Sequence, residues 1–182
     1  MSQASQAWPF SSPSLLKTDI LINLRSRLPP WERSLELIEI FYRGIGWYCR
    51  PIQRDQVMEE ILPTFYPDKA SYPSTVIQTE FCEMDRDNPH YLGLFFSILS
   101  VGAISGSSLA GDEAEEYFQN ARASLALKTV FEHPGLGCVQ AVALMAIYLV
   151  STSRAKTVDA TWLMMKFASN LALNVSPVFH HF

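Results

Sequence analysis

Two uninterrupted apolar segments, residues 91–104 and 138–150, constrain the fold more than any other feature of the sequence. Each has hydrophobic side chains at almost every position of a helical wheel, which is typical of a helix enclosed by protein. As helices they would be about 20 Å long, whereas the hydrocarbon core of a bilayer is about 30 Å thick. Both segments also contain Ser or Gln, so we expect two buried core helices and no membrane contact.

The rest of the chain repeats helical spacing, and no alternating run lies beside an Asn-Gly or Asp-Gly turn. The sequence therefore predicts an all-α fold, an irregular multi-helix bundle of six or seven helices whose core is formed by the last four. Asn88 is the predicted cap of the first of these, with Pro89 at its first helical position. Pro63 is expected to begin an irregular loop. The predicted helices cover residues 31–47, 54–62, 75–84, 89–105, 113–131, 136–151 and 158–175.

Charge and cysteine content narrow the possible partners. The net charge is -4 and Lys and Arg form no cluster, so we expect no direct contact with nucleic acid. Cys49, Cys82 and Cys138 share no CxxC spacing and are odd in number, which argues against a structural zinc site or a disulfide framework. We therefore expect no cofactor in this chain and a reducing compartment.

Four tracts of the second half follow one another in a characteristic order. They read LGLFFSILSVGAI (92–104), AEEYFQNARASLAL (114–127), VQAVALMAIYLV (139–150) and ATWLMMKFASNLALNV (160–175). The positions that carry the pattern are Tyr117, Arg122, Gln140, Tyr148 and Trp162. In order and spacing these tracts resemble the middle homology region of fungal transcription factors that carry a six-cysteine, two-zinc DNA-binding cluster. Residues 47–66 resemble the segment that precedes this region in the family.

The resemblance implies a regulatory role. The parent protein would act in RNA polymerase II transcription in a fungal nucleus, and this region would restrain or relay activation without contacting DNA. Zinc and DNA would be bound only by the cysteine cluster, which does not occur in this chain. The implied partners are other parts of the parent factor or regulatory proteins, and a small-molecule effector.

The resemblance also divides the chain. It covers residues 28–175 as a partial regulatory domain, with residues 1–27 expected as a disordered lead-in and 176–182 as a tail that does not match the family. We expect a chain truncated at both ends relative to the family. Truncation predicts an exposed apolar patch, larger than is usual for a monomer. Its expected contributors are Trp162, Met164, Met165 and Phe167.

Candidate catalytic and metal-binding residues have simpler explanations. Ser105 comes one place late for a G-x-S-x-G nucleophile elbow. Cys138 is expected to be a buried apolar residue rather than a nucleophile. The carboxylates within residues 112–116 suit the positive end of a helix, and His180-His181 lacks further metal ligands. We therefore expect no enzymatic activity and no metal site.

Gln140 stands alone in an apolar helix and needs hydrogen-bond partners if it is buried. Two interpretations stay open, a hydrogen bond to the end of a neighbouring helix and a polar anchor in an effector pocket. The second would also suit the alternative function, a helical enzyme fragment or a small-ligand-binding module unrelated to transcription.

Overall fold

The computed structural model describes residues 17–46, 51–69, 88–106, 111–130, 135–152 and 157–175. Within these ranges the chain forms seven α-helices and one π-helix, with no strand, which confirms the predicted all-α bundle. The α-helices are α1 (Lys17–Arg25), α2 (Trp31–Gly44), α3 (Leu62–Phe65), α4 (Pro89–Gly106), α5 (Gly111–Leu125), α6 (Leu136–Ser151) and α7 (Thr157–Val175), and the π-helix is Gln56–Ile61.

Helix α4 lies at the centre of the fold and packs against α2, α5 and α6. Its residues are buried on every side, as the apolar sequence predicts. Gly102 lets α2 approach closely, since a Cβ there would lie only 2.3 Å from the carbonyl oxygen of Leu37. The side chain of Asn88 caps the helix, because its Oδ1 accepts a hydrogen bond from the His90 N–H at 3.2 Å.

By length and composition, α4 is also the one helix of the described ranges that could cross a membrane. However, 72% of it is buried inside the fold. Core helices of globular domains meet the same criteria of length and composition, because neighbouring helices cover their apolar side chains. Burial by α2, α5 and α6 therefore accounts for its apolar character.

Helices α6 and α7 follow the predicted pattern closely. Helix α6 has the predicted bounds and packs against both α4 and α7. Helix α7 directs a stripe toward α6 in which Ala168, Leu171 and Val175 are buried, while Met164 is only partly buried. The polar residues of α7, Asp159, Lys166, Asn170 and Asn174, are exposed.

Helix α1 corrects the expected disordered lead-in of residues 1–27. Residues 17–25 are helical, with Leu24 buried and Ile20 and Leu21 packed against the core. The segment is a helix of little more than two turns, so it gains most of its stability from these tertiary contacts rather than from its own sequence. Residues 1–16, and the predicted helix at 75–84, lie outside the described ranges.

The second predicted helix, 54–62, has a different form and a later end. Val57 and Ile61 are buried, residues 56–61 are π-helical, and the helix continues to Phe65. Pro63 therefore lies inside a helix and does not begin a loop. A proline ring clashes with the carbonyl four residues earlier in an α-helix, and the wider π turn relieves that clash.

Helix α5 begins earlier and ends earlier than predicted, at Gly111 and Leu125 rather than 113 and 131. Leu125, Ala126 and Leu127 are all buried. The chain leaves the helix in a turn at residues 126 and 127, and this turn stays buried against the core. The turn leaves the Lys128 carbonyl within 3.1 Å of Nε2 of the buried His90, on α4.

Candidate functional site

Two carboxylates of α5 connect that helix to its neighbours on opposite sides. Glu113 and Glu115 are two positions apart, so their side chains point about 200° away from each other on the helix. Glu113 faces α2 and Glu115 faces α6. The acidic first turn, which the sequence explained through the helix dipole alone, thus also makes two specific contacts between helices.

Glu113 accepts three hydrogen bonds. Arg33 of α2 donates from Nε at 3.1 Å and from Nη2 at 2.5 Å, and the Tyr117 hydroxyl donates at 3.0 Å. The bond from Arg33 lowers the pKa of Glu113, so the carboxylate stays charged. Burial beside this carboxylate raises the pKa of Tyr117, whose ring also stacks on Phe96 of α4 at 6.2 Å.

Glu115 makes the corresponding contact with α6. It accepts a hydrogen bond from the Tyr148 hydroxyl at 2.8 Å and one from Gln119 Nε2 at 2.7 Å. The Tyr148 ring stacks on Phe118, with 4.5 Å between the ring centroids and 20° between their planes. Arg122 donates to Gln119 Oε1 at 3.2 Å, and partial burial of its guanidinium lowers the pKa of Arg122. We call Arg33, Glu113, Tyr117, Glu115 and Tyr148 the α5 network.

Of the five positions that carry the resemblance, three are buried and one is partly buried. Tyr117 and Tyr148 are buried members of the α5 network, and Arg122 joins its edge through Gln119. Gln140 is buried on α6, some distance along the helix from Tyr148. Trp162 is not with them, because its side chain on α7 is 65% exposed.

Gln140 connects α6 to the segment that leads into the π-helix. Its Nε2 donates to the Pro51 carbonyl at 3.1 Å and to Gln56 Oε1 at 3.2 Å. Its own Oε1 is buried and has no partner among the described residues. This geometry matches the interpretation as a core hydrogen bond, with a partner that precedes a helix.

Helix α7 has a second, mostly apolar stripe, about 110° around the helix from the stripe that faces α6. This outer stripe consists of Val158, Trp162, Met165, Ser169 and Ala172, all of which are exposed. The predicted patch is thus confirmed for Trp162 and Met165. The prediction is wrong for Met164 and Phe167, which are partly buried and pack against the core, because they lie nearer to the stripe that faces α6.

The remaining candidate residues have structural explanations where they are described. Cys138 is fully buried, and desolvation raises its pKa to about 12, which disfavours the reactive thiolate. Ser105 donates to the Val101 carbonyl of its own helix at 2.7 Å. No group of three or more potential metal ligands occurs within the part of the chain that the structure describes. His180 and His181 lie outside that part.

A surface groove of about 390 Å³ lies between α1 and α5. Asn120 of α5 lines the groove and is 5% exposed, and its Nδ2 has no partner among the described residues. Arg27 and Glu116 also line it, so both signs of charge are present.

The sequence did not reveal Arg33 and Glu113 as partners. The two residues are 80 positions apart, the carboxylate suits the first turn of α5, and Arg33 also has a partner on its own helix in Glu36. Comparison of the chain with protein-family models, with curated proteins and with solved structures finds no match.

Proposed function

We propose that this chain is the regulatory, non-DNA-contacting part of a fungal zinc-cluster transcription factor that acts in RNA polymerase II transcription in the nucleus. The observation that supports the proposal is the placement of the four resembling tracts. They coincide with α4, α5, α6 and α7, four consecutive helices that pack on one another. The resemblance therefore covers one packed unit rather than scattered segments, and its partners would be other parts of the parent factor, regulatory proteins or a small-molecule effector.

The α5 network offers a physical route for regulation. Glu113 connects α5 to α2 through Arg33, and Glu115 connects α5 to α6 through Tyr148. A partner that pulls α6 away must break the bond between Tyr148 and Glu115, and α5 then keeps its packing on α4 and its bond to α2 through Arg33. Such a domain can exist in two packings, and a ligand shifts the population by its difference in affinity for them.

A reporter assay tests this proposal. The full chain is fused to an unrelated DNA-binding domain, and transcription from a promoter with its operator is measured in yeast. We expect the fusion to change transcription relative to the DNA-binding domain alone. Tyr148→Phe removes one hydroxyl and keeps the ring stack on Phe118, so we expect at least a twofold further change at equal protein level.

Tyr42→Phe is the matched control. It removes a hydroxyl that makes a 3.4 Å bond to the Ile52 carbonyl, outside the α5 network, and we expect the activity of the unaltered fusion. The proposal is contradicted if all three fusions are well expressed and transcribe at the level of the DNA-binding domain alone. A relay through α5 is contradicted if both variants change transcription equally.

A further inference from the structure

We propose that the outer stripe of α7 binds a second copy of this chain, with the two α7 helices packed antiparallel about a two-fold axis. Assembly of this kind does not depend on the transcriptional role. The stripe is exposed along the whole of α7, from Val158 to Ala172. A separate face of the helix, about 110° around from the stripe, is already packed against α6.

The spacing of the outer stripe suits a helical partner. Its five residues are separated by four, three, four and three positions. That is the 3.5-residue period of a coiled-coil seam, in which each side chain enters a hole formed by the facing helix. A straight helix of this length spans about 28 Å, so the seam provides several layers of contact.

The sizes of the side chains fit an antiparallel register. The stripe alternates two kinds of position, one at 158, 165 and 172 and the other at 162 and 169. In an antiparallel pair each kind faces the other kind. Val158 of one copy then lies opposite Ser169 of the other, and Trp162 lies opposite Met165. Each layer then pairs a larger side chain with a smaller or a more adaptable one, and methionine fits irregular space beside an indole ring. The two-fold axis repeats both layers, which gives four layers in total.

The charges of two antiparallel α7 helices are complementary. Asp159 and Lys166 are its only charged residues, and each directly follows a residue of the outer stripe, so both flank the same side of the seam. Antiparallel packing brings Asp159 of each copy beside Lys166 of the other, and it also opposes the two helix dipoles favourably. In parallel packing Lys166 of each copy would lie beside Thr161 of the other, without an opposite charge.

The outer stripe exposes apolar area that a second copy can cover. Its three large side chains, Val158, Trp162 and Met165, are 57%, 65% and 42% exposed. Together they present about 350 Å² per copy, which is nearly half of the roughly 800 Å² that each partner contributes to a standard interface. Association through this stripe is therefore expected to be of moderate strength.

Sedimentation equilibrium of the full chain tests the proposal at concentrations from about 1 to about 100 µM. We expect a mass of twice 20.5 kDa at the upper end. Trp162→Glu should weaken association at least tenfold, because it places a charge at the centre of the seam. Leu163→Glu is the matched control, since Leu163 is 73% exposed on the same helix but lies off the stripe, and it should leave association unchanged.

Charge reversal distinguishes a second copy from any other partner. Asp159→Lys alone sets like charges against each other across the axis and should weaken association, whereas adding Lys166→Asp should restore it. Circular dichroism checks that each variant keeps its helices. The proposal is overturned by a monomer at the highest concentration, by a dimer that tolerates Trp162→Glu, or by a double variant that fails to recover.

Discussion

Among the described glycines, Gly102 has the closest neighbouring backbone, which is that of Leu37 on α2. A methyl group in Gly102→Ala would lie 2.3 Å from the Leu37 oxygen, 3.0 Å from its carbonyl carbon and 3.3 Å from its Cα. Carbon–oxygen contacts between packed helices are normally at least about 3.3 Å, so the two backbones must separate by about 1 Å. The obstacle is backbone rather than a side chain, and it therefore cannot rotate away.

The expected cost follows from two opposing effects. Alanine is a better helix former than glycine by about 1 kcal/mol, which favours the variant. Overpacking a tight core costs about 1 to 3 kcal/mol, and a backbone clash places Gly102→Ala at or above the top of that range. The displacement also loosens Leu37, Ile38 and Phe41, which are fully buried on α2. We expect a net loss of about 2 kcal/mol, or about 6 °C in Tm for a chain of this size.

Urea denaturation followed by circular dichroism measures the loss, and Gly111→Ala provides the control. A Cβ at Gly111 meets no atom within 4 Å, at the first residue of α5. The control therefore has the propensity gain without the clash, and it should be as stable as the unaltered chain or slightly more so. If Gly102→Ala proves equally stable, the close packing of α2 on α4 is wrong.

Two further predictions concern buried groups. Burial lowers the pKa of His90 below its ordinary value of 6.5, so protonation favours the unfolded chain, and stability present above pH 6.5 should fall as the pH drops toward the folded-state pKa. Between pH 7 and pH 5.5 we expect a loss of up to about 1 kcal/mol in urea denaturation, and a smaller loss in His90→Gln. Cys138 should resist alkylation at pH 8 in the native chain and react after denaturation, as measured by peptide mass mapping. Modification of the native chain at the unfolded rate would contradict its burial.

Continuous apolar character over the length of a helix made the two core helices predictable. Residues 89–105 and 136–151 combine apolar side chains with an Asn-Pro start or a preceding glycine, and the structure places α4 and α6 at nearly the same bounds. For α1, no comparable local signal exists, because its order depends on contacts with the rest of the fold. The π-helix was missed for a related reason, since Pro63 normally signals the end of a helix.

The α5 network was not predictable from the sequence. Arg33 and Glu113 are brought together only when α2 and α5 both pack beside α4, and neither residue differs locally from an ordinary charge near a helix start. Gln140 was a more informative case, because an isolated polar residue in an apolar helix demands a partner. Its partner could not be identified, since the Pro51 carbonyl is 89 positions away in an irregular segment.

Helix α7 differs from the other long helices in what holds it. Helices α2, α5 and α6 each contact the central α4, whereas α7 packs mainly against α6 through one stripe. Its attachment therefore depends on a few buried side chains, chiefly Ala168, Leu171 and Val175. A partner that binds the outer stripe only when α7 is docked stabilises that docked state by mass action. The proposed association through α7 would consequently be coupled to the order of α7 on α6.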